Sequence, residues 1–132
     1  MKVFDRNIVA TGVFTMAFTI AIGAFGAHGL KQLVDGAALD TFEVGVRYQM
    51  YHALAILILG FAPWISSRLK KTIFLLFIVG ILFFSGSIYL LSLNSVLPFN
   101  AAKIGFITPI GGVLFIVGWL YWGFGMIKSR KE

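Results

Sequence analysis

Four long stretches of this chain contain no Asp, Glu, Lys or Arg, and they restrict the fold more than any other feature. They run from Ile8 to Leu30, Tyr48 to Ile65, Thr72 to Leu93 and Ile104 to Ile127. An α-helix rises about 1.5 Å per residue and a bilayer core is about 30 Å thick, so about 20 apolar residues can cross it. The pattern predicts an all-α, polytopic membrane protein with a single domain, 1–132, and four transmembrane helices in an antiparallel bundle. The predicted spans are about 8–30, 44–65, 72–93 and 104–127, the second beginning before its charge-free part.

The composition supports a chain whose helices face lipid. Hydrophobic residues make up 59% of the chain, charged residues make up 12%, and the mean hydropathy is +0.94. These values argue against a water-soluble domain, which needs a polar surface. The chain has no cysteine, which excludes disulfides, thiolate metal ligands and thiol catalysis. We predict no cofactor.

Basic residues gather at alternate junctions between the stretches. Because cytoplasmic loops retain Lys and Arg, the side that carries most of them should be the cytoplasmic one. The other side has only Lys31, Arg47 and Lys103. We therefore predict a multi-pass protein of the bacterial cell membrane with both termini in the cytoplasm, in contact with anionic lipid head groups and not with nucleic acid. The predicted inner residues are Lys2, Arg6, Arg68, Lys70, Lys71, Lys128, Arg130 and Lys131.

Small residues predict where the helices pack against each other. In lipid, helices associate through close van der Waals contact, and Gly, Ala and Ser allow their backbones to approach. Three glycines repeat every third residue along the first helix, which does not match a phosphate-binding loop. A proline near the start of the fourth helix predicts a bend, or more weakly a broken helix that binds an ion. The predicted packing residues are Gly23, Gly26, Gly29, Ser85, Gly86, Ser87, Pro109, Gly111 and Gly112.

The segment between the first two spans predicts a short outer amphipathic helix that leads into the second span. From Leu39 to Met50, apolar residues recur at helical spacing with charged residues beside them. Asp40 and Glu43 resemble a capping box, which would begin this helix at Asp40. Glu43 and Arg47 are four residues apart and would form an ion pair.

A cluster of polar residues is the candidate site. One histidine lies near the outer end of the first span and the other about one turn into the second, so antiparallel neighbours would place both at similar depth. The cluster could serve structural hydrogen bonding, bind a ligand, lipid or quinone head group, or support metal or proton chemistry. Because two histidines alone are a weak metal signature, we assign no metal site and no catalytic residue. Its members are His28, Glu43, Arg47, Tyr48, Gln49 and His52.

Four segments resemble a known family of small membrane proteins, domain of unknown function 423, to which eukaryotic proteins called transmembrane protein 256 are related. The segments are 24–30 (AFGAHGL), 46–54 (VRYQMYHAL), 84–90 (FSGSIYL) and 107–112 (ITPIGG). They occur in the same order over nearly the whole chain. The resemblance implies a multi-pass bacterial plasma-membrane protein, and it implies no activity, so no catalytic residue is carried over.

Three classes of function remain open. We favour a structural or accessory membrane component, with a second copy of the chain or a larger membrane complex as its partner, because short loops leave no domain for catalysis in water. A small transporter or channel with the outer polar cluster as its mouth is the alternative, although no Asp or Glu lies within the spans. A redox or metal-binding subunit that uses His28 and His52 is the least favoured, so we predict that the chain is not an enzyme.

Overall fold

The computed structural model describes residues 4–129 and is all-helical over that range. Within it there are four α-helices: α1 (Arg6–Ala27), α2 (Gly36–Gly60), α3 (Ser67–Ser92) and α4 (Ile107–Ser129). Short 3-10 turns at Leu30–Gln32, Asn94–Val96 and Ala101–Ile104 lie in the connections. The all-α prediction is confirmed.

Three helical stretches are long and apolar enough to cross a membrane. They are Arg6–Gln32, Ser67–Ser92 and Ala101–Ser129, and they contain α1, α3 and α4 respectively. The helix α2 is as long as the others, yet it carries charged and polar residues along its first half and is not among these stretches. Three of the predicted spans therefore have the length and composition of membrane helices.

The helix α2 begins earlier than the sequence predicted. Its N-cap is Asp35, whose carboxylate accepts a hydrogen bond from the Ala38 N–H at 2.8 Å. The predicted start at Asp40 is wrong, because Asp35 satisfies a free N–H of the first turn one turn upstream. The amphipathic segment is therefore the first half of one continuous helix, and no break separates it from the apolar second half.

Pro109 lies in the first turn of α4. The helix begins at Ile107 and continues without interruption to Ser129. N–H groups in the first turn have no partner within the helix, so the N–H that proline lacks removes no helical hydrogen bond here. A proline at this position can therefore be accommodated without a bend.

The helices pack in chain order, with α2 against both α1 and α3, and α3 against α4. Along α1 and α2 the contacting residues run in opposite numerical directions: Gly12 meets Leu57, whereas Gly26 meets Phe42. The apolar core lies where α2, α3 and α4 meet and contains Ile56, Phe77 and Phe115. The outer helices α1 and α4 leave most of their large apolar side chains exposed, as expected of surfaces that face lipid.

Glycines lie where the helices approach most closely. A Cβ atom built on Gly111 would collide with the backbone of Phe84, so the backbones of α3 and α4 are in direct contact there. A Cβ on Gly80 would lie 2.6 Å from the Phe115 ring, and one on Gly118 would lie 2.6 Å from the Phe77 ring. Only a residue without a side chain fits at these crossings.

The predicted packing glycines differ in what they face. Gly23 and Gly26 face α2, where an added Cβ would lie 3.4 Å from Val46 and 2.8 Å from the Phe42 ring. Gly29 lies beyond the end of α1, against Phe25 of its own chain segment. Gly112 would make ordinary contact with the Phe84 ring at 3.7 Å, and Gly86 has nothing within 4 Å. The seam between α1 and α2 thus continues from Gly26 back to Gly12 and does not extend to Gly29.

Basic residues collect at one end of the structure. The Asp5 N–H donates to the Gly60 carbonyl at 2.8 Å, which joins the start of α1 to the end of α2. The start of α3 follows the end of α2 in the chain and so lies at the same end. Gly125, near the end of α4, packs against Leu69, near the start of α3. The basic residues at this end are Arg6, Arg68, Lys70, Lys71 and Lys128. The remaining basic residues assigned to this side, Lys2, Arg130 and Lys131, lie outside the described residues.

Replacing Gly111 by Ala should destabilise the protein, because the new methyl group would push α3 and α4 apart at a backbone contact. We expect a loss of about 1–3 kcal/mol, typical of overpacking, measured as a lower thermal midpoint in detergent. Gly123 on the same helix is the matched control, since it has nothing within 4 Å. Gly123→Ala should leave stability unchanged or raise it by up to about 1 kcal/mol through helix propensity. Equal effects of the two variants would contradict the close crossing.

Candidate functional site

Polar side chains of α2 lie inside the helical core. Gln49 and His52 are 6% and 3% exposed, and together with Gly45 they follow the i, i+4, i+7 spacing of one helix face. This face is turned towards α3 and α4. The apolar stripe predicted from Leu39 to Met50 is therefore not the most buried one, since Leu39 and Met50 are only half-buried.

His52 is held by hydrogen bonds at both ring nitrogens. Its Nε2 lies 3.0 Å from the Trp119 Nε1 of α4, and its Nδ1 lies 2.7 Å from the Tyr48 carbonyl oxygen. An indole N–H can only donate, so Nε2 must be the acceptor. The proton of the neutral ring is then on Nδ1, which donates to the Tyr48 carbonyl. In this arrangement neither nitrogen has a lone pair left for a metal ion.

Aromatic rings enclose the His52 imidazole. The Phe115 ring stacks on it with centroids 3.6 Å apart and planes inclined by 9°. The Phe77 ring meets it edge-on, with centroids 5.0 Å apart. The imidazole is thus covered by apolar side chains of α3 and α4 and is fixed in orientation by them.

Two hydrogen bonds join α3 to α2 at Gly45 and Gln49. The Tyr89 hydroxyl donates to the Gln49 Oε1 at 2.6 Å, and the Ser85 hydroxyl donates to the Gly45 carbonyl oxygen at 2.7 Å. Tyr89 and Ser85 are four residues apart and so lie on the same face of α3. A third polar contact joins α3 to the start of α4, where the hydroxyls of Ser87 and Thr108 are hydrogen-bonded. Predicted packing residues Ser85 and Ser87 therefore act through hydrogen bonds between helices.

The six predicted cluster residues do not come together. His28, Glu43 and Arg47 are exposed, and Tyr48 is 40% exposed, with its ring packed against Phe84. Glu43 and Arg47 make no ion pair within 4 Å, so the predicted pair is not formed; they line a shallow groove at the end of α1 instead. Only Gln49 and His52 lie in the core.

The two histidines lie at different depths. His28 caps the C-terminus of α1, where the neighbouring Gly26 faces Phe42 of α2. Phe42 and His52 are ten residues apart on one helix, which corresponds to about 15 Å at 1.5 Å per residue. The prediction of similar depth is wrong, because α2 begins earlier than expected and places His52 near the middle of the bundle. Within residues 4–129 no three His, Asp or Glu side chains are grouped as a metal site would require.

Sequence reasoning missed the partners of the buried residues. Trp119, Tyr121 and Trp122 are of the residue types enriched at membrane interfaces, and this composition gives no sign that the Trp119 indole N–H reaches His52 in the core. Tyr89 was not singled out, although its spacing from Ser85 places both on one face. Phe115, which covers His52, has no sequence signal that separates it from the other apolar residues of α4.

Comparison with known proteins matches this chain to a protein family. Residues 22–112 match the family model described as Protein of unknown function (DUF423). The UPF0382 membrane protein of Staphylococcus saprophyticus is 41% identical over 97% of this chain and 99% of its own length. The UPF0382 membrane protein of Haemophilus influenzae is 38% identical over 86% of this chain and 88% of its length. The corresponding protein of Bacillus subtilis, YwdK, is 37% identical over 91% and 92%.

No solved structure matches this chain. The family match runs without a break from the last turns of α1 to the first turns of α4. The Staphylococcus saprophyticus relative aligns over nearly its full length. Together with three helices long and apolar enough to cross a membrane, these findings identify an integral membrane protein. The chain belongs to the DUF423 family, whose curated bacterial members are named UPF0382 membrane proteins.

Proposed function

We propose that α2 is a fourth membrane crossing and that the four helices form an antiparallel bundle. A helix of 25 residues is about 37 Å long, which exceeds the bilayer core. Its hydropathy is lowered by the charged residues Asp40, Glu43 and Arg47, which are exposed in its first half, and by Gln49 and His52. Gln49 and His52 are both hydrogen-bonded inside the bundle. A polar side chain with an internal partner can lie at membrane depth, because the partner replaces the water that lipid does not supply.

We propose further that both termini lie in the cytoplasm. The start of α1, the end of α2, the start of α3 and the end of α4 share one end of the bundle, and the basic residues Arg6, Arg68 and Lys128 lie there. Cytoplasmic loops are the ones that retain Lys and Arg. Charge distribution and helix packing therefore both support a cytoplasmic location for the two termini.

Single-cysteine labelling tests this orientation, since the chain has no cysteine of its own. A membrane-impermeant maleimide should label Gln32→Cys and Ser95→Cys in intact cells, and should label Ser67→Cys only after lysis. All three positions are exposed in the structure. If Gln32→Cys and Ser67→Cys were labelled from the same side, α2 would not cross the membrane. If only Ser67→Cys were labelled in intact cells, and Gln32→Cys and Ser95→Cys only after lysis, the termini would lie outside the cell.

The function that the geometry supports best is a structural or accessory component of the membrane without catalytic activity of its own. The observation that carries this proposal is that the buried polar side chains of α2 bond to α3 and α4. His52 bonds through Nε2 to Trp119 of α4 and through Nδ1 to the Tyr48 carbonyl of α2 itself, and Ser85 and Ser87 bond to neighbouring helices. Hydrogen bonds between helices of this kind hold the helices together.

An accessory component should be recovered with a partner. We expect affinity purification from native membranes in a mild detergent to recover this chain with a second protein in fixed proportion, identified by mass spectrometry. A four-span protein of similar size with the same tag is the control for adventitious membrane proteins. Recovery of this chain alone, together with solute flux through reconstituted vesicles, would contradict the proposal and favour a transporter.

A structural role for His52 makes a prediction about paired variants. His52→Leu leaves the Trp119 N–H without its acceptor, and we expect a loss of about 1–3 kcal/mol in stability. In the double variant His52→Leu/Trp119→Phe both hydrogen-bonding partners are gone, so the loss should be smaller than the sum of the two single losses. Thermal midpoints of the four proteins in detergent measure this coupling. Strictly additive losses would show that the bond contributes nothing.

A further inference from the structure

We propose that a pocket between α1 and α3, at the level of Gln49, binds a neutral lipid-soluble molecule that presents a ring carbonyl oxygen, as isoprenoid quinones do. The pocket has a volume of about 280 Å³ and is open at the protein surface, where its lining residues Phe14, Phe18 and Leu82 are exposed. This is close to the lower end of the range for small-molecule sites, about 300–1,000 Å³. Its principal lining residues are Phe14, Thr15 and Phe18 of α1, Gln49 of α2, and Ile78 and Leu82 of α3.

Gln49 presents an unused hydrogen-bond donor to this pocket. Its side chain is more than nine-tenths buried, and its Oε1 accepts the bond from the Tyr89 hydroxyl. Its Nε2 makes no hydrogen bond with any residue in the range 4–129. Every fully enclosed side-chain nitrogen or oxygen in that range has a partner, so the Nε2 is not fully enclosed, and Gln49 lines this pocket. An amide NH₂ in lipid requires an acceptor.

Thr15 supplies a second polar group on the opposite wall. The neighbouring hydroxyls of α1 are engaged within the helix, since Thr11 donates to the Asn7 carbonyl at 2.8 Å and Thr19 donates to the Thr15 carbonyl at 2.7 Å. The Thr15 hydroxyl makes no corresponding bond with the described part of the chain. Two donors thus border one apolar space, which suits a molecule with a carbonyl oxygen and an otherwise apolar ring.

The walls exclude a charged ligand. Phe14 and Phe18 are 72% and 69% exposed and stand at the mouth, and Ile78 and Leu82 form the other side. Among residues 4–129, no Asp, Glu, Lys or Arg lines the pocket. A phosphate or ammonium group would lose its hydration there without gaining a counter-ion. The chemistry of the site therefore selects a neutral molecule.

The depth of the pocket separates a ring carbonyl from a phospholipid ester. Thr15 lies near the middle of Arg6–Ala27 and Ile78 near the middle of Ser67–Ser92, so the pocket is at the centre of two membrane-crossing helices. The ester groups of phospholipids lie near the polar boundary, about 15 Å from the centre of a 30 Å core. A ring carbonyl carried on an isoprenoid chain can lie at the centre. This argument depends on α1 and α3 and is independent of whether α2 crosses the membrane.

Native mass spectrometry of the protein released from nanodiscs can test the proposal. Three preparations are compared: phospholipid alone, phospholipid with a short-chain isoprenoid naphthoquinone, and phospholipid with an isoprenoid hydrocarbon that lacks carbonyl groups. We expect a one-to-one adduct with the quinone only. Thermal midpoint measurements should show stabilisation by the quinone and none by the hydrocarbon.

Paired variants separate binding from packing. Gln49→Leu removes both the bond to Tyr89 and the free donor, whereas Tyr89→Phe removes the same bond and leaves the donor in place. We expect Gln49→Leu to weaken quinone binding by about fivefold to tenfold, the effect of one hydrogen bond, and Tyr89→Phe to retain it. Leu82→Trp should block the pocket from an exposed position without disturbing the core, and it provides the test if Gln49→Leu does not fold.

Several results would overturn the proposal. Equal retention of the hydrocarbon and the quinone would show that the donors are not used. A phospholipid adduct that persists in the presence of quinone and is lost in Leu82→Trp would show that the pocket is a lipid-acyl groove. No adduct in any preparation, or equal binding by Gln49→Leu, Tyr89→Phe and Leu82→Trp, would show that the pocket has no ligand of this class. None of these outcomes bears on whether a protein partner copurifies, so the accessory role is tested separately.

Discussion

A polar side chain buried among apolar helices must find its partner within the protein, and α2 carries two such side chains, Gln49 and His52, on its buried face. Gln49 and His52 are buried where no water replaces a missing hydrogen bond, and each missing bond would cost several kcal/mol. Their partners Tyr89 and Trp119 come from two different helices. The position of α2 between its neighbours is therefore set by its least apolar residues as much as by its apolar ones.

These hydrogen bonds form only where the helices approach closely. Glycine residues allow that approach because they have no side chain. A Cβ on Gly45 would lie 2.7 Å from the Tyr89 ring, so a larger residue there would push the tyrosine away from α2. The same approach lets the Ser85 hydroxyl reach the Gly45 carbonyl. In α4, Gly118 gives room to the Phe77 ring, which in turn meets the His52 imidazole. The small residues thus let the helices approach closely enough for the polar contacts between them to form.

Much of the architecture could be predicted from the sequence, because charge-free length and helical periodicity are local properties. The helices α1, α3 and α4 lie close to their predicted positions, and Gly26 and Gly111 lie at helix contacts. The start of α2 was wrong because two aspartates five residues apart both suit an N-cap, and only the structure shows that Asp35 is used. Local patterns cannot choose between two competent caps.

The candidate site was harder to predict, since it depends on the register between helices. Phe42, and not Tyr48, lies beside the end of α1, so His52 is about 15 Å along α2 from the level of His28. The sequence identifies Gln49 and His52 as polar residues in an apolar setting, but not which helix supplies their partners. Trp119 illustrates the difficulty, because its ring is 46% exposed, as an interfacial residue would be, while its N–H is directed into the core.

The two buried polar residues of α2 differ in how completely they are satisfied, and this difference separates packing from binding. Both nitrogens of His52 are engaged, and three aromatic rings, those of Phe77, Phe115 and Trp119, pack around it. The Oε1 of Gln49 is engaged, and the Gln49 side chain lines the pocket between α1 and α3. A leucine of similar volume could pack at the same position but would leave the Tyr89 hydroxyl without its acceptor. His52 is thus accounted for by contacts between helices, whereas Gln49 both joins α2 to α3 and lines a pocket beside α1.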